Sequence, residues 1–250
     1  MKQLRTALVT GAARGIGLAT AINLLEAGHH VAMVDLDTEA LESAAADLPA
    51  DRVLPLAIDL RQPDAPQRLD TAIRARWDPV AILVNNAAVS PKHAGKAAGL
   101  AGISLEEWEF VMQVNVTAPM RLAQQFVPAM RERGWGRVIN TSSRAGRTNP
   151  NQASSAYATS KAAILGLTRA IATEFAPYGV TANAVAPGLV ETKLALAMSP
   201  DILAQIRAKT PAGRGGTPEE IAAVIAFLAS EEAAFVTGAC FDVNGGAFMN

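Results

Sequence analysis

Residues 7–17 read ALVTGAARGIG, an aliphatic run that breaks at a cluster of glycines and passes into helix-forming sequence. A strand that ends at Gly11 and resumes as a helix through Gly15 and Gly17 lacks Cβ atoms at three positions of its turn. The backbone can then approach a pyrophosphate, and the helix N-terminus offers it unpaired N–H groups. Arg14 and Ile16 fall inside the same loop. Three glycines also suit a plain tight turn, so the reading leans on what lies downstream. Asp35 closes the next aliphatic run, 20 positions beyond Gly15, where a carboxylate accepts hydrogen bonds from an adenosine ribose. That favours NAD over NADP, since a 2′-phosphate would meet Asp35 as a like charge. Arg14 pulls the other way, because a guanidinium there could pair with that phosphate, although it equally suits a solvated loop position.

Outward from this unit, short β-branched runs alternate with longer Ala/Leu-rich stretches of helical period, the pattern of repeated βαβ units. Strands are expected near 6–10, 30–35, 52–58, 81–85, 137–141, 181–186 and 239–243, each apolar enough to be buried on both faces. The clearest helices are expected at 16–27, 39–48, 105–133, 155–176 and 218–229. No linker, repeat or low-complexity tract divides the chain, so residues 1–250 read as a single dinucleotide-binding domain. The fold class is α/β, a Rossmann-type doubly wound domain whose seven-stranded parallel sheet carries helices on both faces. Two irregular stretches, 89–103 and 188–211, each follow a strand at its C-terminal end, where open α/β sheets place their ligand crevice.

Composition narrows the function classes. The chain carries 22 Lys and Arg against 23 Asp and Glu, with 50% hydrophobic residues. So even a balance offers no electrostatic footprint for nucleic acid or an anionic membrane. One cysteine, Cys240, rules out an internal disulfide, and with His29, His30 and His93 it cannot make up a Cys/His zinc site, so no metal is expected. The longest apolar run, 221–229, is too short to span a bilayer, and no secretory leader is recognisable; a cytoplasmic location is expected.

Other residues fall at strand exits. Asp59, with Leu60 beside it, follows the third strand, where a carboxylate could accept from the adenine amine or cap a turn. Asn85 and Asn86 end the fourth strand, either holding a sugar or bracing neighbouring loops. Tyr157 and Lys161 stand four apart in SSAYATSKAAILGL, so phenol and ammonium project from one helical face. A phenol titrates near 10, too high for a base at neutral pH, and a cation held beside it is expected to lower that value. Upstream, INTSSRAG ends the fifth strand and delivers Ser142 and Ser143 to the sheet edge that carries the glycine loop.

Together these segments resemble the short-chain dehydrogenase/reductase family over nearly the whole chain. TGAARGIG looks like its cofactor loop, NNAA a variant of its Asn-Asn-Ala-Gly turn, TSS its catalytic serine strand, YATSK its Tyr-x-x-x-Lys motif and NAVAPG its turn beside the nicotinamide. The resemblance implies a catalytic set of Asn115, Ser143, Tyr157 and Lys161. Tyr157 would transfer the proton, Lys161 would lower its pKa and hold the nicotinamide ribose, Ser143 would position the substrate oxygen, and Asn115 would anchor a water relay. It also implies Ala87 as a cofactor contact, Pro187, Gly188, Val190 and Thr192 as the segment fixing the carboxamide, and Gly245 and Gly246 as the terminal turn. Ala88 departs from the family, standing where glycine is usual.

The expected function is transfer of hydride between NAD(H) and a small secondary alcohol or ketone of sugar, polyol or hydroxy-acid type. The alternatives are an NADPH-dependent 3-oxoacyl thioester reductase and a non-catalytic dinucleotide-binding protein. Leu189, Leu194, Leu196 and Met198 make the second irregular stretch apolar enough for a lid. Lys92, His93, Lys96, Arg144 and Arg147 could converge on an anionic substrate. The resemblance implies a homotetramer or homodimer, and Ala162, Ala163, Ala170 and Ala172 give the 155–176 helix a face smooth enough to meet a second copy.

Overall fold

The computed structural model describes residues 4–93, 95, 97–148, 153–192 and 200–249. Seven strands, β1 Thr6–Thr10, β2 His30–Asp35, β3 Val53–Ala57, β4 Ile82–Asn85, β5 Gly136–Thr141, β6 Val180–Pro187 and β7 Cys240–Val243, form one parallel sheet in the order β3-β2-β1-β4-β5-β6-β7. The order reverses at β1, which pairs β2 on one side and β4 on the other, Ala7 standing opposite both Val31 and Ile82. Crossovers leave β1 and β4 towards opposite faces, so a crevice opens at their C-terminal ends. The expected fold class is therefore the observed one.

Two cores follow from the two-residue period of the strands. Val9, Met33 and Val84 point to one face, where they meet Leu24 of α1 Gly15–Glu26. Leu8, Ala32 and Leu83 point to the other, against Leu69 and Ile73 of α3 Ala65–Arg74 and Phe126 and Met130 of α5 Ala118–Arg133. Strands β1, β2, β4, β5 and β6 are buried nearly throughout, as expected. The edge strands β3 and β7 are not, because each has a neighbour on one side only.

The remaining helices are α2 Thr38–Ala45, α4 Leu105–Met112, α6 Ser155–Phe175, α7 Pro200–Ala208 and α8 Pro218–Leu228, the last packed on α1. The single helix expected at 105–133 is α4 and α5 joined by a widened π-helical turn, Gln113–Thr117. Its cause is local: Pro119 has no N–H to give the carbonyl four residues back, that of Asn115. Two helices escaped the periodicity reading. In α3 the apolar stripe is thin among polar residues, and α7 lies inside a stretch expected to be irregular. The stretch 89–103 carries neither helix nor strand among its described residues, as expected.

Candidate active site

The glycine loop is built for close approach. Gly11 and Gly15 take φ values of +65° and +57°, and a Cβ on Gly17 would sit 2.0 Å from the Gly11 carbonyl oxygen. Asn86 locks the cradle from β4, its Nδ2 donating to the carbonyls of Thr10 (3.0 Å) and Gly11 (3.2 Å). Of the two roles open to Asn86, the structure shows the brace. Asn85 is likewise engaged internally, donating to Asn140 Oδ1 at 2.8 Å. Ile16 packs at the margin of the first core.

Beside the cradle lies a cavity of about 570 Å³ whose walls include Gly11, Arg14, Asp35, Asp59, Leu60 and Ala87. These six residues, expected to touch a dinucleotide from different parts of the sequence, thus share one space. Asp59 is closed by its neighbour: Arg61 donates from Nε at 3.0 Å and from its terminal nitrogen at 2.6 Å, which holds the Asp59 carboxyl below its ordinary range. Arg61, a cavity wall that sequence reasoning missed, also lies 5.4 Å from the Phe110 ring centre.

At the other end of the crevice, Ser143 follows β5 and caps the short turn Arg144–Gly146, its Oγ accepting from Ala145 N at 3.1 Å. Gly146 lies directly on α6; a Cβ there would come within 2.5 Å of the Lys161 carbonyl carbon. Ser142 ties the same surfaces, donating to the Lys161 carbonyl at 2.7 Å. This contact sets Ser143 beside Tyr157, near enough for its hydroxyl to favour the phenolate. Lys161 is 2% exposed, with Nζ 5.7 Å from the Tyr157 ring centre and donating to the Thr141 carbonyl at 2.7 Å. Burial without a carboxylate partner pulls its pKa down to about 8. The Tyr157 phenol departs from expectation. Burial raises its pKa, opposed by the nearby Ser143 hydroxyl rather than by Lys161.

Asn115 is spent on architecture. Its Oδ1 accepts from Val89 N at 2.8 Å, and its Nδ2 donates to Val89 O and Ser160 Oγ, both at 3.0 Å. Through these bonds the widened turn ties the end of β4 to α6. Beyond β6, Gly188 N donates to Val243 O at 3.1 Å, Val190 bridges to Gly216, and the Thr192 methyl would lie 3.2 Å from a Cβ on Gly15. Pro187 ends β6. The segment 187–192 therefore runs back to the glycine loop. Gly245 and Gly246 sit against Thr210 and Pro211.

Two of the cations expected at the pocket mouth are paired within the chain. Arg147 pairs with Asp242 at 3.3 Å, and His93 pairs with Glu107. Lys96, and the lid residues Leu194, Leu196 and Met198, lie outside the described residues. Among the described residues no group of three or more His, Cys, Asp or Glu side chains is placed to hold a metal ion, and no helix is long and apolar enough to cross a membrane.

Comparison with known proteins places this geometry. A family model described as enoyl-(acyl carrier protein) reductase matches residues 11–247. The 3-oxoacyl-(acyl-carrier-protein) reductase FabG of Vibrio cholerae is 39% identical, with 98% of each chain covered. A solved 3-oxoacyl-(acyl-carrier protein) reductase with bound NAD from Brucella melitensis superposes with a TM-score of 0.90 at 36% identity, over 98% of this chain and 92% of that one. A structure provisionally named a gluconate dehydrogenase, from Agrobacterium tumefaciens, also gives 0.90, at 29% identity over 97% and 95%. The chain belongs to the short-chain dehydrogenase/reductase family of oxidoreductases, enzymes acting on alcohol and keto groups.

Proposed function

We propose that the protein is an NAD(H)-dependent reductase of 3-oxoacyl thioesters. The observation that carries the chemistry is the buried Lys161, its Nζ 5.7 Å from the Tyr157 ring centre and tied to the end of β5 next to Ser143, on the sheet edge that also bears the glycine cradle. A nicotinamide dinucleotide bound there supplies or takes up hydride. Tyr157 stays protonated at neutral pH because burial raises its pKa, which suits a proton donor to a carbonyl oxygen. Ser143 holds that oxygen and stabilises charge developing on it. As Tyr157 gives up its proton, the ammonium of Lys161 lies close enough to favour the phenolate. Asn115, in this reading, is a positioning residue that fixes the wall between Val89 and Ser160. The fit of the cofactor rests on the glycine cradle and the adjoining cavity, with Gly15, Ile16, Gly17 and Asn86 at the pyrophosphate end and Gly188, Val190 and Thr192 at the nicotinamide end.

The thioester class follows the relatives' names and displaces the sugar or polyol substrate favoured by the sequence. A second reading, oxidation of a polyhydroxy acid, draws support from the Agrobacterium neighbour. The test is nicotinamide absorbance with purified protein, offering a short 3-oxoacyl thioester with NADH or NADPH and, separately, gluconate-type acids with NAD or NADP. Turnover of the thioester, lost in Tyr157→Phe, is expected. Turnover of the polyhydroxy acid alone transfers the assignment to the second reading, and turnover of neither overturns both. We place a second copy of the chain on the α5–α6 face, where Ala162 and Ala170 are exposed beside a hollow of about 500 Å³ walled by Met120, Val127 and Phe175. Light scattering that reports a monomer would refute that placement.

A further inference from the structure

Arg147 stands four residues beyond Ser143, at the end of the short turn that Ser143 caps. The turn is closed by its own backbone, Arg147 N donating to Arg144 O at 3.0 Å and Thr148 N to the same carbonyl at 2.9 Å. One side of it is fixed, since Gly146 lies on α6. The other side is held by the Arg147 side chain, which crosses to β7. Its guanidinium pairs with Asp242 at 3.3 Å, and the two side chains are 17% and 21% exposed, while the Asp242 backbone is open at the sheet edge. The same guanidinium lies 5.1 Å from the Phe248 ring centre. Its charge is also near enough to the Cys240 thiol, two residues from Asp242 on the same face of β7, to oppose the rise that burial imposes there. An ion pair this sheltered is screened less than those on the rim, and the neighbouring ring limits the ways the guanidinium can turn.

What Arg147 grips is itself a closed piece. After β7, Asn244, 7% exposed, accepts at Oδ1 from Gly246 N at 3.0 Å and Phe248 N at 3.4 Å, and donates from Nδ2 to Phe248 O at 3.1 Å. One buried amide thus closes the turn 244–248 and sets Phe248 beside Arg147. This turn abuts the segment 187–192: a Cβ on Gly188 would lie 3.0 Å from Asn244 Cα, and Gly188 N donates to Val243 O at 3.1 Å. Besides their link through the sheet, Ser143 and that segment are therefore joined a second time, through the end of β7 and its turn. We infer that Arg147 is a positioning residue for the reaction: by gripping Asp242 and Phe248 it fixes the Ser143 turn against the body that carries the segment 187–192, and so sets the substrate oxygen against the hydride donor. Hydride transfer and proton transfer meet at one carbonyl, and a misplacement of about 1 Å lowers the rate about 10²-fold. Arg147, expected from the sequence to meet an anionic substrate, is instead committed within the protein. The inference rests on the reading that Ser143 holds the substrate oxygen and that residues 187–192 lie at the nicotinamide.

The test is steady-state kinetics of the parent, Arg147→Met, Asp242→Asn and the Arg147→Met/Asp242→Asn double variant, on whichever substrate the parent turns over, the 3-oxoacyl thioester or the polyhydroxy acid. NADH titration by fluorescence and thermal melting accompany it. Methionine keeps an apolar stem at 147 and asparagine keeps the size of the carboxylate, so the fold has no cause to fail. Each single variant should lose about 10- to 10²-fold in kcat, while its affinity for NADH stays that of the parent. The double variant should lose no more than either single one, because the two side chains act as a unit. Parental kcat in both single variants overturns the inference. So does a double variant whose loss is the product of the single losses, or a loss that falls on NADH affinity instead of kcat. Should Arg147→Met melt at the assay temperature, Asp242→Asn, which leaves the arginine in place, decides the matter. A parent that turns over neither substrate overturns the catalytic reading itself, which separates the two failures.

Discussion

The two ends of the crevice use charge in opposite ways. At the rim beside the glycine loop each cation has a counter-charge in contact, Arg14 with Asp37 and Arg61 with Asp59, and all four are at least partly exposed. At the catalytic wall the cation is Lys161, 2% exposed, with a neutral backbone carbonyl as its partner. The consequence shows in titration. The carboxyls of Asp37 and Asp59 are held below their ordinary range by hydrogen bonds, whereas Lys161 is pulled down to about 8 and Tyr157 is pushed up by burial. A rim of exposed pairs can be rearranged at low energetic cost and so suits selection between similar ligands. A buried cation without a carboxylate is held near its titration point, which suits a site that moves protons.

The largest effect that would break this contrast is on turnover. Tyr157→Phe should lower turnover by about 10²–10⁴-fold, the usual worth of a positioned acid or base, while NADH still titrates the cradle by fluorescence. Equal activity in parent and variant would remove Tyr157 from the proton path. Next comes the contact that sets the wall. Gly146→Ala places a Cβ 2.5 Å from the Lys161 carbonyl carbon, and overpacking against backbone should cost about 1–3 kcal/mol in denaturant unfolding. Its turnover should fall with the shift of Ser143. Asn115→Ala removes three hydrogen bonds and should cost about 1–3 kcal/mol through the groups it leaves unpaired.

The pH dependence sharpens the comparison further. Lys161 titrates near 8 when folded and near about 10.4 in an unfolded chain. Between those values the unfolded chain binds the extra proton, so the Lys161 contribution to stability rises with pH, by up to about 1.4 kcal/mol per unit. Burial raises the titration of Cys240 above its ordinary 9.0 and that of Tyr157 above 10.0, and these groups oppose the rise at higher pH. Melting temperatures between about pH 8 and pH 9 should therefore climb more steeply for the parent than for Lys161→Met. Parallel slopes would contradict the burial argument. The smallest effect belongs to the rim: Arg61→Ala should change stability by less than about 1 kcal/mol, because the Asp59 pair is exposed.

Much of the fold could be read from local pattern because parallel strands buried on both faces announce themselves as continuous aliphatic runs. The misses have equally local reasons. Strands β3 and β7 are open at the edge, where burial is set by the absence of a neighbour rather than by composition. Helix α3 presents a thin stripe in a polar segment, and the widened turn at Gln113–Thr117 depends on one missing N–H at Pro119. At the site, spacing put Tyr157 and Lys161 on one helical face, strand position brought Ser142 and Ser143 to the sheet edge, and the family resemblance chose Ser143. Spacing did not show that Lys161 bonds a carbonyl, that Arg147 is committed to Asp242, or that Arg61 closes on Asp59.

The sequence by itself determined the doubly wound domain, the glycine cradle and the identity of the groups at the sheet edge. Those features follow from periodicity, glycine geometry and the rule that ligands meet the C-terminal ends of strands. Tertiary structure decided how each group spends its hydrogen bonds and which charge it faces. Asp35 and Asp37 are indistinguishable as letters two apart, yet one fastens the glycine loop and the other holds Arg14. Their division of labour depends on distances across β1, β2 and the loop between β1 and α1, which local pattern does not encode.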